Sequence, residues 1–83
     1  MTTAKLIDKL NAAFPGINAV STVEWDGSEG GIWFRQEGNL HPDGTYYFDY
    51  YGSRQVHPEV EKMLDDAGFF AEPYDAGTWM AYR

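Results

Sequence analysis

The sequence has no cysteine, only six lysines and arginines in 83 residues, and no apolar run approaching a membrane span. The first absence removes disulfide frameworks, thiolate metal sites and cysteine nucleophiles. The second argues against direct binding of nucleic acid, because affinity for phosphate comes mainly from Lys and Arg displacing counterions. The third excludes a spanning helix, which takes roughly 18 or more consecutive apolar residues. The amino-terminal MTTAKLIDKLNAAF interrupts its apolar residues with Lys5, Asp8 and Lys9, unlike a signal peptide, so the expected location is the cytoplasm. A phosphate-binding glycine loop is missing too, since GSEGG (27–31) lacks the lysine and following helix that such a site needs. Ser21, Ser28 and Ser53 stand in no recognisable nucleophile context. No catalytic residue is assigned on this reading.

What the chain has instead is acid and aromatic rings. Thirteen acids against six bases give a net charge of −7. Residues 1–18 hold Lys5, Lys9 and Asp8, a balance of +1, which leaves −8 for residues 19–83. The fourteen aromatic residues (Phe 5, Tyr 6, Trp 3) have a structural use, since each ring hides roughly 150–250 Å² and a chain this short needs such burial to offset its ordering entropy. The length fits one domain spanning residues 1–83.

Periodicity supplies the elements. Leu6, Ile7, Leu10, Ala13 and Phe14 form the apolar stripe of an amphipathic helix, with Thr2 or Thr3 as its cap and Pro15-Gly16 as its stop. β-Branched AVSTVEW (19–25) reads as a strand, and Asp26-Gly27 with Gly30-Gly31 turn it into a hairpin with IWFRQ, residues 19–36 overall. A loop over 37–44 leads to TYYFDYY (45–51), read as a third strand. Alternation places Tyr46, Phe48 and Tyr50 toward the core and Tyr47, Asp49 and Tyr51 outward. Pro58 suits the first position of a second helix with His57 at its cap, Val60, Met63, Leu64 and Ala67 on its buried stripe, and Gly68 as its stop. FFAEPY and TWMAYR close the chain as two strands, and Pro73 makes the first of them short or an edge. The order α-β-β-β-α-β-β predicts an α+β domain with an antiparallel sheet of about five strands and two helices on one face.

With helices on one face, the other is free. The predicted partner surface is Glu29, Trp33, Arg35, Glu37, Asp43, Tyr47, Asp49 and Tyr51, a mixture of Trp, Tyr and Arg typical of interface hot spots, set among acids. Base stacking would need a basic groove beside the rings, and Arg35 is the lone base on the second and third strands. His41, Asp43 and His57 come closest to a metal-ligand set, but a structural zinc site takes four ligands, most often with cysteine. His41 therefore reads as an exposed loop residue and His57 as a cap, and no metal or cofactor is expected.

A short, cysteine-free chain whose acids centre on Glu24, Asp26, Glu29, Glu37, Asp43 and Asp49 resembles the small acidic single-domain proteins of phages and mobile elements, the anti-CRISPR proteins in particular. The resemblance lies in overall character across the whole chain and matches no motif. It implies a monomeric inhibitor that engages a basic protein surface on a nucleic-acid-binding effector complex, occupying a groove meant for phosphates. Two readings from other classes stand beside it: a small enzyme or ligand-binding domain using His41, Asp43 and His57, and a structural or adaptor component of a phage assembly.

Overall fold

The computed structural model describes residues 2–35, 40–49, 56–75 and 78–83. Helix α1 (Thr3–Ala13) begins at Thr2, whose side chain accepts the Lys5 N–H, and buries Leu6 and Leu10. Phe14, at its end, is buried as well. The Asn11 amide then stands in for a neighbouring strand, donating to the Ala19 carbonyl and accepting the Ala19 N–H, each at 2.9 Å. This two-point contact fixes the helix to strand β1 (Ala19–Ser21).

β1 stops three residues in, shorter than the predicted 19–25. Thr22 turns the chain: its hydroxyl donates to the Ser28 carbonyl and accepts the Gly31 N–H, and its own carbonyl receives Trp25 and Asp26. The β-branched run is thereby drawn into a short helix, α2 (Val23–Asp26), which ends where Gly27 adopts φ 85°. Gly31 is buried against this corner, and a methyl group there would lie 2.7 Å from the Tyr82 ring and 2.8 Å from the Thr22 side chain. The predicted hairpin does form, with β1 antiparallel to β2 (Ile32–Phe34).

Helix α3 (Pro58–Asp66) has the predicted cap, the His57 ring accepting the Glu59 N–H, with Val60 and Leu64 buried and Gly68 beyond its end at φ 78°. Strands β3 (Phe70–Asp75) and β4 (Thr78–Tyr82) close the sheet, whose order is β1-β2-β4-β3, antiparallel throughout. Pro73 accordingly lies on an edge strand, where a missing N–H is tolerated.

The α+β class with an antiparallel sheet is as expected, but among the described residues the sheet has four strands and there are three helices. The difference lies at residues 45–49, expected to be strand and forming only isolated bridges, Leu40 to Tyr46 and Phe48 to Val56. β4, not this segment, lies beside β2. Alternation fails here as well: Tyr47 and Phe48, adjacent in sequence, are both buried, while Tyr46 is half exposed. Tyr47 is drawn in because its hydroxyl reaches the Pro15 carbonyl at 2.8 Å and its ring packs edge-on against Phe14. Tyr50 lies outside the described residues.

Leu6, Leu10, Val60 and Leu64 share one core with Ala19, Ile32, Phe34, Trp79 and Ala81, so α1 and α3 cover the same face of the sheet. The register puts Val20, Trp33, Met80 and Glu72 in a row on the opposite face.

Candidate functional site

The tripeptides His41-Pro42-Asp43 and His57-Pro58-Glu59 share one pattern, histidine, proline, acid, and they fold alike. In each, the acid's backbone N–H donates to the Nδ1 of the histidine two residues earlier, at 3.0 Å in the first and 3.1 Å in the second. The proline fixes φ and lets the chain curl back over the ring. The side chains then cross. His57 Nε2 lies 2.9 Å from Asp43 Oδ2, and His41 Nε2 lies 2.9 Å from Glu59 Oε2. The two rings stack in parallel, centroids 4.2 Å apart and 7° between planes. Since each Nδ1 accepts, the proton of each neutral ring sits on Nε2 and is donated to the other tripeptide's carboxylate. The result is a reciprocal clasp between the loop and the first turn of α3.

The clasp is held from behind. Tyr47 sets its ring edge-on to both imidazoles, and Phe14 tilts against His41. His41, expected to be an exposed loop side chain, is only 15% exposed. Asp43 Oδ1 accepts both the hydroxyl and the N–H of Thr45. These bonds, led by the Thr45 hydroxyl and followed by His57, hold the Asp43 carboxyl far below the usual carboxylate range. Burial, with the Asp43 and Glu59 charges behind it, pushes the Tyr47 phenol up. Asp43, Thr45, Tyr46, Asp49, His57, Pro58 and Glu59 line a cleft of about 470 Å³, and no lysine or arginine lines it among the described residues.

Two imidazoles and two carboxylates offer four donor atoms within 4.8 Å of one another, a set that could hold a metal ion. Metal binding at Nε2 requires each ring to move its proton to Nδ1, against the backbone N–H it now accepts. That sacrifices four hydrogen bonds, the two from backbone N–H groups to Nδ1 and the two from Nε2–H to the Asp43 and Glu59 carboxylates. At about 1 kcal/mol for each neutral bond and about 2 kcal/mol for each bond to a carboxylate the loss is roughly 6 kcal/mol, against metal-binding energies on the order of 10 kcal/mol. The donor set therefore fits an ion despite the tautomer change. Glu59 escaped the sequence reading, and the signal that finds it is the repeated histidine-proline-acid tripeptide.

A second feature lies on the sheet face away from α1 and α3. Trp25 of α2 meets Trp33 edge-on at 4.8 Å and Tyr74 edge-on at 5.3 Å. The Arg35 guanidinium lies over the Trp33 ring at 5.4 Å. Trp25 is 38% exposed and Tyr74 63%, and Val23 beside them is half exposed. Exposed acids lie nearby in the chain or the sheet: Glu24 and Asp26 flank Trp25 in sequence, Glu29 is in the following loop, and Glu72 shares the strand row of Trp33. Tyr74 lies two residues beyond Glu72 on β3 and so shares its face.

The predicted partner residues thus divide. Trp33 and Arg35 lie together on the open sheet face, while Asp43 and Asp49 line the cleft at the clasp. Tyr47, expected on the surface, is 1% exposed and belongs to the core. Glu37 and Tyr51 lie outside the described residues. Trp25 and Tyr74 were not singled out from the sequence, because Trp25 read as part of a strand and Tyr74 as part of a closing strand of unknown facing. No family model, curated protein or solved structure matches the chain.

Proposed function

We propose that this protein acts by binding a basic protein partner through the open face of its sheet. The observation that carries the reading is the Trp25–Trp33–Tyr74 cluster on a face that the two long helices leave uncovered, with Trp25 and Tyr74 exposed, Trp33 half-buried and Arg35 over Trp33. Exposed Glu24, Asp26, Glu29 and Glu72 lie nearby in the chain or the strand row. Trp, Tyr and Arg dominate binding hot spots because they bury large area at low entropic cost and pair it with a polar handle. The net charge of −7 adds long-range attraction, speeding encounter with a positively charged surface.

The partner class we assign follows the anti-CRISPR resemblance: an effector complex whose basic groove receives nucleic acid, with this protein as its inhibitor. Purified CRISPR effector complexes, assayed for DNA binding and cleavage with and without the protein, test that assignment. Inhibition by the wild type and its loss in a Trp25→Ala/Tyr74→Ala variant is the expected result. Unimpaired cleavage at saturating protein rejects the assignment.

A further inference from the structure

The clasp holds more ligating atoms than a structural tie needs. We propose that His41, Asp43, His57 and Glu59 form a binding site for one divalent transition-metal ion of the zinc type, and that the proton-bridged clasp is its metal-free form. This site is separate from the open sheet face.

The donors are Nε2 of His41 and of His57, Oδ2 of Asp43 and Oε2 of Glu59. Each crossed histidine–carboxylate pair is 2.9 Å apart, and His57 Nε2 lies 3.9 Å from Glu59 Oε2. Tetrahedral zinc with bonds of about 2.0–2.2 Å sets its donors roughly 3.3–3.5 Å apart. The bridged pairs need to open, and the wider pair to close, by roughly half an ångström. The two rings, now parallel with centroids 4.2 Å apart, splay on binding so that both Nε2 lone pairs converge on one ion.

Further contacts aim these donors. Thr45 takes up Asp43 Oδ1 with two hydrogen bonds and leaves Oδ2 directed at the cluster. His57 and Glu59 are fixed by the first turn of α3, and Tyr47 backs both imidazoles. Such outer contacts orient ligands and tune affinity. Two carboxylates neutralise a dication with both imidazoles neutral. The imidazoles select a transition ion over magnesium or calcium, which take all-oxygen sites.

Binding has a signature that a purely structural clasp lacks. When Nε2 ligates, each imidazole proton must move to Nδ1, releasing the Asp43 and Glu59 N–H groups from the rings. The test uses the full chain stripped with chelator, then titrated with Zn²⁺ by calorimetry, with Co²⁺ by visible absorption, and with Zn²⁺ under ¹⁵N NMR. Expected are one ion per chain, the intense visible absorption of tetrahedral Co²⁺, persistence in a large excess of Mg²⁺, and a switch of both imidazoles from the Nε2–H to the Nδ1–H tautomer. His41→Ala and Glu59→Gln, which keep the His57 cap, should weaken Zn²⁺ binding by more than the roughly 10- to 100-fold lost with an outer contact. Absence of binding in the wild type overturns the proposal. Binding that leaves the imidazole tautomers unchanged, or that survives both substitutions at full affinity, places the ion elsewhere and overturns it equally.

Discussion

At the scale of single residues, the histidines, Asp43 and Tyr47 show how short-range bonding overrides pattern. His57 and Pro58 were legible as cap and first helical residue because those roles are set locally, by a lone pair aimed at a free N–H and by a fixed φ. Tyr47 was misplaced because alternation presumes an unbroken strand, and here the Asp43–Thr45 bonds and the Tyr47–Pro15 bond bend the chain instead. Tyr47→Phe should therefore cost about 1 kcal/mol in denaturant unfolding, the worth of one hydrogen bond, while keeping the ring contacts. Phe48→Ala should cost roughly 3–5 kcal/mol, since that ring lies in the core between Phe34 and Trp79. Asp43 has a depressed folded pKa, so its contribution to stability is complete above its unfolded value of about 3.9 and is lost as pH falls below that value. Thermal melts across the acid range should show wild-type stability falling toward pH 2 more steeply than that of Asp43→Asn. Parallel curves would remove the carboxylate from the clasp's energetics.

At the scale of elements, both long helices and the closing strand pair could be read from periodicity and stop signals, since those depend on neighbours within a few residues. The β1–α2 corner could not. Its sequence, β-branched through Val23, favours extension, and the winning interactions are side-chain bonds from Thr22 to Ser28 and Gly31, six and nine residues on, which propensity does not register. Thr22→Val preserves shape but deletes the hydroxyl, leaving the buried Gly31 N–H without that acceptor. Denaturant titration should show a loss of about 1–3 kcal/mol. Gly31→Ala should also destabilise, because the added methyl collides with the Tyr82 ring and Thr22. A neutral result for both would show the corner to be indifferent to its hub.

At the scale of the whole molecule, two layers divide the labour. α1 and α3 occupy one face of a four-stranded sheet, and the other face exposes Trp25 and Tyr74 beside Trp33. No helix among the described residues is long and apolar enough to cross a membrane. That α1 and α3 leave one face of the sheet to aromatic side chains was legible from the order of elements. The membership of that face was not, because it depends on α2, which sets Trp25 against Trp33 where a strand was expected. Electrostatic attraction from a −7 chain predicts that association slows as salt is raised, since screening shortens the reach of surface charge. The most direct measurement is the affinity of the wild type and of Trp25→Ala and Tyr74→Ala for the effector complexes proposed as its partner, with far-ultraviolet circular dichroism confirming the fold of each. Binding through the open sheet face predicts losses of about 2 kcal/mol or more per ring, roughly 30-fold each, in variants that remain folded. Undiminished affinity in both folded variants would contradict it.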